Sequence, residues 1–366
     1  MTPQRPAVGL QGPATGAAPA SRPASAAMSP AERLVRAWYA PRASPLVAAL
    51  APASLVYAAL VGVRRALYRN GILGASRLRV PVVVVGNISV GGTGKTPLVA
   101  ALAAALARRG FRPGIVSRGY GRVQAGGAPV AVAADDDPLR VGDEPLLLAR
   151  GGYPVVVARD RVAAARALLA QNPRCDLVIA DDGLQHYRLA RDVEIAVVDG
   201  TRPPARNWLL PAGPLREPPS RLREVDAVVT LVTAAERAAL PEGVFAMTLE
   251  GERFVRVDDP LRTAPASAFA GGTVHALAGI GNPARFFAQL AAMGIRAVAH
   301  PLPDHHRYTG AELAIPEATA IVMTEKDAVK CEAFADERCW YLPVRARFDD
   351  SLVSLIEGRI RGSKAA

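Results

Sequence analysis

The chain has 366 residues, half of them hydrophobic, and a formal net charge of +11, which excludes global disorder and calls for an acidic partner such as nucleic acid, anionic lipid or a phosphorylated ligand. Aromatic residues are only 5% and the arginines are spread through Ala- and Pro-rich sequence, so stacking platforms for single-stranded nucleic acid are poorly supplied and no nucleic-acid partner is expected. Cys175, Cys331 and Cys339 form neither a CxxC pair nor a closely spaced metal set, and their odd number argues against a disulfide framework, which fits a reducing cytoplasm.

Residues 1–27, rich in Ala, Pro, Gly and Ser, have little to pack with and are expected to form a disordered leader. They lack the short basic region followed by an apolar core that marks a secretory signal. Residues 28–75 read as a basic, apolar, membrane-docking helical segment. Within it residues 46–63 carry no charge and are flanked by Arg42, Arg64, Arg65 and Arg69, a length at the lower limit for crossing a bilayer. Pro52, Ser54 and Gly62 weaken the spanning reading. Upstream, Arg33, Arg36 and Arg42 interleave with Leu34, Val35, Trp38 and Tyr39, the mixture of a helix lying among headgroups. Docking on an anionic membrane surface is the expectation; helices packed on the domain are the alternative.

From residue 80 short apolar runs alternate with helical patterns, the grammar of an α/β fold with a mainly parallel sheet flanked by helices. Strands are expected at 82–85, 115–117, 154–157, 177–180, 195–198 and 227–231, with a helix over 97–109 and a long Pro-rich loop over 203–219. A second, smaller α/β segment follows, with a strand at 274–278, a helix over 283–293 and strands near 297 and 321. The division this implies is one domain over 76–265 and another over 266–362.

Between the first strand and its helix lie Ser89, Val90, Gly91, Gly92, Thr93, Gly94, Lys95 and Thr96. Glycines there let backbone N–H groups turn toward a phosphate chain, Lys95 can reach terminal phosphates, and the Thr96 hydroxyl can ligate Mg²⁺, so the segment reads as a P-loop of an NTPase-type domain. The strict pattern wants Gly where Ser89 stands, a departure that leaves the strand-to-helix context intact. The strand at 177–180 runs into Asp181, Asp182 and Gly183, an acidic pair at the carboxyl end of a parallel strand where a carboxylate can hold the metal or its water. Gln185 and His186 add polar groups on the same loop. Farther on, Arg216 and Glu217, stiffened by flanking prolines, are candidate contacts to phosphate or substrate, since a cation near the transferred group stabilises its charge.

Taken in order, Gly91 to Pro97, Ser117-Arg-Gly-Tyr-Gly121, Gly142-Asp-Glu-Pro145, Asp181-Asp-Gly-Leu-Gln-His186, Gly213-Pro-Leu-Arg-Glu-Pro218, Gly279-Ile-Gly-Asn-Pro283, Asp304-His-His-Arg-Tyr308 and Thr324-Glu-Lys-Asp327 resemble the tetraacyldisaccharide 4'-kinase family. The resemblance runs from the basic apolar segment almost to the end of the chain. It implies an ATP- and Mg²⁺-dependent kinase whose acceptor is the 4'-hydroxyl of an acylated disaccharide 1-phosphate lipid, at the cytoplasmic face of a bacterial inner membrane, with no obligate protein partner. It further implies a catalytic pair at Asp143 and His305. A histidine oriented by a carboxylate can take the proton of a sugar hydroxyl as the phosphoryl group arrives. Read locally, Asp143 is as well placed to cap the helix that follows and His305 to sit in a turn beside Pro303, and His306 is a neighbouring alternative.

Two other classes use a phosphate loop. A GTPase or nucleotide-driven chaperone needs an Asn/Thr-Lys-x-Asp guanine reader, but in the stretch from Thr324 to Asp327 the lysine comes one place late; it also wants Asp-x-x-Gly, and three places after Asp181 stands Leu184. A tethered ATP-binding module without catalysis has no use for an additional acid and histidine.

Overall fold

The computed structural model describes residues 30–364 apart from 41, 43, 123–126, 205, 234, 235, 238, 239 and 242; the expected leader over 1–27 lies outside the described residues. In chain order the elements are α1 (Pro30–Trp38), α2 (Pro45–Arg69), β1 (Val82–Gly86), α3 (Lys95–Arg108), β2 (Pro113–Ser117), β3 (Val130–Val132), α4 (Pro138–Val141), α5 (Asp143–Arg150), β4 (Val155–Val157), α6 (Arg161–Gln171), β5 (Leu177–Asp181) and β6 (Val193–Asp199). They continue with β7 (Ala227–Leu231), β8 (Val244–Glu250), β9 (Arg253–Arg256), β10 (Thr263–Pro265), β11 (Val274–Ala278), α7 (Pro283–Ala292), β12 (Ala297–Pro301), β13 (Ala320–Thr324), α8 (Glu325–Cys331), β14 (Cys339–Leu342), β15 (Arg345–Phe348) and α9 (Asp350–Lys364). The chain forms two compact units that alternate along it, one from residues 1–90, 182–248 and 348–366 and the other from 91–181 and 249–347. The sequence division at 265 is contiguous; these units interleave.

In the first unit β1, β6, β7 and β8 pair in parallel, with Val83 opposite Val193, Ile195 opposite Ala227 and Val228 opposite Val244. β1 is an unbroken valine run buried throughout, as expected for a parallel strand covered on both faces. Helix α9 buries Leu352, Val353, Ile356 and Ile360, one apolar stripe at helical spacing. Ser44 caps α2 by accepting from the Leu46 N–H, and the helix runs through Pro52, which forgoes one backbone bond without ending it. The inner side of the helix pair is fastened to the Pro-rich loop. There Trp38 Nε1 donates to the Pro211 carbonyl at 2.9 Å and the buried Ser54 hydroxyl to that of Leu209 at 2.6 Å. The outer side leaves Leu55, Val56, Leu60 and Val63 more than half exposed.

In the second unit β5, β2 and β4 are parallel and β3 adds an antiparallel edge, with Ile115 opposite Ile179 and Val116 opposite Val156. Leu98, Val99, Leu102 and Leu106 of α3 are buried. A further sheet of order β10-β9-β14-β13-β11-β12 is parallel from β14 to β12 and antiparallel at β9 and β10. One of its cores gathers Phe254, Phe269, Phe286, Leu290 and Val322, another Leu277, Ile321, Met323, Cys331 and Cys339. All three cysteines are buried and free.

Candidate active site

The second unit holds most of the phosphate loop. Gly91 and Gly94 have φ of 109° and 82°, conformations open to glycine, and Gly94 caps α3 without a side chain, so the first N–H groups of a 14-residue helix face the loop. A Cβ on Gly281 would collide with the backbone of Gly91 and Gly92. The segment after β11 therefore lies flush on the loop, where Arg285 also donates to the Gly92 carbonyl at 3.5 Å. Thr93 is buried, and Lys95 and Thr96 open the helix half-buried. At the end of β5 the carboxylate of Asp181, fully buried, accepts from the Ser117 hydroxyl at 3.3 Å.

Asp143 begins α5 behind Gly142, which takes φ of 97°. Its Oδ2 lies 3.2 Å from His305 Nδ1, and its Oδ1 accepts from the Glu144 N–H at 2.9 Å. Two lysines from α8 face the same carboxylate, Lys326 Nζ at 3.9 Å and Lys330 Nζ at 4.0 Å. Lys326 also reaches Glu144 at 3.0 Å and Asp304 at 3.3 Å, and Lys330 pairs with Asp327 at 2.8 Å. Burial raises the pKa of Asp143, but the His305 hydrogen bond and the charges of Lys326, His305 and Lys330 outweigh it and hold the carboxyl down at about 2. Burial opposes the charge on Lys326, and Glu144, Asp143 and Asp304 outweigh it, so its pKa is raised. His305 is a left-handed residue, φ 58°, in the loop after β12. His306 turns away: its Nε2 pairs with Glu312 at 2.7 Å, which leaves His305 as the histidine at Asp143.

The stretch from Thr324 to Asp327 has its own work. Thr324 caps α8 by accepting from the Asp327 N–H at 3.2 Å, and the fully buried Asp327 accepts from the Gly279 N–H at 3.0 Å. Lys330 was not legible as a site feature, since lysines on a helix are ordinarily solvated, and Lys326 was marked only by its place in the motif from Thr324 to Asp327.

The first unit carries the other candidates. Ser89 bridges to Leu215 and the Val90 N–H donates to the Pro214 carbonyl at 2.8 Å, lacing the start of the phosphate loop to the Pro-rich loop. Asp182, with φ of 48°, receives Arg216 Nη1 on both carboxylate oxygens at 3.1 Å. Gln185 Nε2 donates to the Asn87 carbonyl at 2.8 Å and to Glu217 at 2.7 Å. Tyr187 donates to Glu217 at 2.6 Å, and Arg221 lies 3.4 Å from it. Glu217, read from sequence as a phosphate or substrate contact, is only 1% exposed and anchors the loop that presents Arg216. His186 closes the turn, its N–H donating to the Gly183 carbonyl at 2.9 Å.

Among the described residues no three His, Cys, Asp or Glu side chains converge as a metal cage. Magnesium does not ask for one: it takes one or two carboxylates, a hydroxyl, phosphate oxygens and water, and Thr96 with the buried Asp181 is a donor set of that kind.

A glycine-rich loop between strand and helix, an acidic pair ending a parallel strand and a separate Asp–His pair are the features of a P-loop phosphotransferase. The family of Tetraacyldisaccharide-1-P 4'-kinase matches residues 46–361. The chain belongs to that family. The Tetraacyldisaccharide 4'-kinase of Aromatoleum aromaticum is 55% identical over 301 residues, 81% of this chain and 88% of its own length. That of Azoarcus sp. is 50% identical over 322 residues, 87% of this chain and 93% of its own. The crystal structure of LpxK from Aquifex aeolicus in complex with ATP superposes with a TM-score of 0.72 at 30% identity, covering 86% of this chain and 99% of that one.

Proposed function

We propose that this kinase moves the γ-phosphoryl group of ATP to the 4'-hydroxyl of a tetraacylated disaccharide 1-phosphate, a lipid A precursor, and that His305 takes the hydroxyl proton while Asp143 orients the imidazole. The observation that carries the division of labour is the 3.2 Å pair with Asp143 held ionised among two lysines. A carboxyl with a pKa of about 2 is a poor proton acceptor at neutral pH, so its contribution is to bind the Nδ1–H and stabilise the imidazolium. Nε2 is then the basic nitrogen. As the sugar oxygen bonds to phosphorus, its proton passes to Nε2 and the bond from phosphorus to the ADP oxygen breaks. The loop of Ser89, Val90, Gly91, Gly92, Thr93, Gly94 and Lys95 binds the phosphates. Thr96, Asp181 and Asp182 are the residues to hold Mg²⁺, which when bound neutralises phosphate charge. Arg216, held by Asp182 on a loop that Glu217 anchors, is a candidate cation for a phosphate or substrate.

The exposed apolar side of α2 supports peripheral or monotopic association with the cytoplasmic face of the inner membrane, where ATP and an acylated acceptor meet. Each lysine or arginine near anionic headgroups adds about 1 kcal/mol. A guanine-reading role for the stretch from Thr324 to Asp327 is disfavoured, because Thr324 and Asp327 are engaged in capping α8 and holding Gly279.

The test is transfer of labelled γ-phosphate, with Mg²⁺ and detergent, to a tetraacyldisaccharide 1-phosphate. Wild type labels the lipid, and Asp143→Ala and His305→Ala lose it by about 100-fold or more. ATP hydrolysis without labelled lipid in the wild type would instead mean a nucleotide switch.

A further inference from the structure

A second bridge runs beside the Asp143–His305 hydrogen bond, between the immediate neighbours of those two residues. Glu144 follows Asp143 at the start of α5, and Asp304 precedes His305 in the loop after β12. Lys326 of α8 lies between them, its Nζ 3.0 Å from Glu144 Oε1 and 3.3 Å from Asp304 Oδ1. The same Asp304 oxygen accepts from the His305 backbone N–H at 3.1 Å, so a path of charge-assisted contacts leads from α5 through the lysine to the backbone of the histidine. His305 needs such a hold. Its φ of 58° is a left-handed conformation that is unfavourable for a residue with a side chain and persists only where neighbours enforce it. Lys326 is placed by its partners and not by its own helix, because in the first turn of α8 a cation meets the unfavourable end of the helix dipole. With its side chain 16% exposed, its pairs are screened less than those of a surface lysine. Lys330, the other lysine facing Asp143, is engaged elsewhere: it pairs with the buried Asp327 at 2.8 Å and lies over the Tyr308 ring at 5.2 Å.

We infer that Lys326 is a positioning residue for phosphoryl transfer, a clamp on Glu144 and Asp304 that fixes the His305 imidazole against the Asp143 carboxylate. The inference rests on the kinase reading of that pair and supplies what a single hydrogen bond leaves free. One contact at 3.2 Å sets a distance, but the imidazole can still swing about it. A residue whose backbone is tied to Asp304 and whose Nδ1 is tied to Asp143 is held at two points, and the direction in which Nε2 faces is then set. A general base works only where its nitrogen lies within hydrogen-bond reach of the proton it takes, and a displacement of about 1 Å costs about a hundredfold in rate. The clamp acts on this step and not on binding. Two of the ammonium donors of Lys326 are engaged by Glu144 and Asp304, and Asp143 stands 3.9 Å from the same nitrogen, so its charge serves carboxylates of the protein and not the phosphates of a ligand.

The experiment is steady-state transfer to detergent-dispersed tetraacyldisaccharide 1-phosphate by wild type, Lys326→Met, Asp304→Asn, the double variant and His305→Ala, with kcat and the KM for lipid and for ATP taken separately. We expect Lys326→Met to lower kcat about tenfold or more while both KM values stay within about twofold. Asp304→Asn, a change at an exposed residue, should lower kcat in the same way. The double variant should lie within about twofold of Lys326→Met, because both changes break one bridge. A kcat of Lys326→Met within about twofold of wild type, with His305→Ala inactive in the same assay, overturns the clamp and leaves the kinase reading standing. Losses that multiply in the double variant also overturn it, since the two residues then act independently, and so does a loss confined to KM, which makes Lys326 a ligand contact. Should Lys326→Met fail to fold, Asp304→Asn decides alone: a lowered kcat at unchanged KM supports the clamp and an unchanged kcat overturns it. Full transfer by His305→Ala overturns the reading beneath it, and the clamp with it.

Discussion

A carboxyl group as buried as Asp143 would by desolvation alone resist ionisation; it is charged because His305, Lys326 and Lys330 all face it. The consequence for stability has a definite sign. The folded pKa of about 2 lies below the ordinary aspartate value near 3.9, so the ionised group favours the folded state above about pH 4, and that contribution disappears as pH falls through 2. Asp143→Asn should therefore cost about 2 kcal/mol at pH 7 and progressively less below pH 4, read as the gap between denaturation midpoints. A gap of the same size at pH 7 and pH 3 would contradict the ion-pair account. Gly281 offers a second test. Adding a methyl there forces the segment after β11 off the phosphate loop, so Gly281→Ala should weaken ATP binding by about tenfold in a nucleotide titration while leaving most of the stability intact. Asp143 and His305 are 162 positions apart, and no periodicity relates them; they were legible as a pair through ordered motifs alone. Lys330 was not, and Lys326 was marked only by its motif, since charge on a helix has no signature that separates a solvated lysine from one aimed at a carboxylate.

Elements repeat the pattern. β1, β5, β7 and β11 are apolar apart from Asp181, Thr230 and His275, and their positions followed from sequence because strands buried on both faces are apolar at nearly every residue. β8 and β9 each bury one residue fully among half-buried and exposed ones, and β3 has three residues, so none of them is a run buried throughout. Helix α3 begins at Lys95, not at Pro97. Proline is tolerated in the first turn, where its missing N–H would have had no intrahelical partner, and the true cap is Gly94. For α2 the two sides separate two effects. Replacing Leu55, Val56, Leu60 and Val63 together with serine should abolish co-sedimentation with anionic vesicles while detergent-dispersed transfer persists. Ser54→Val acts on the inner side: it removes the hydroxyl donor from the Leu209 carbonyl, which keeps the Gly213 N–H, and should cost about 1 kcal/mol in thermal or chemical unfolding, with membrane binding unchanged.

For the whole molecule, a net charge of +11 predicts that the proposed membrane capture is ionic as well as apolar. Raising salt from about 0.05 to 0.5 M should lower affinity for anionic vesicles severalfold and leave an apolar remainder that salt does not remove; vesicle titrations at the two ionic strengths would show it. The alternation of the two units along the chain has a further consequence, for synthesis. Neither unit is one uninterrupted stretch, and the first takes in its last segment only from residue 348 onward. Helix α9, with Ile356 and Ile360 wholly buried, belongs to the same unit as β1. A ribosome that has already made β1 must pass residue 348 before that unit can close, so the strand leading into the phosphate loop waits, incompletely packed, for helix α9 to emerge.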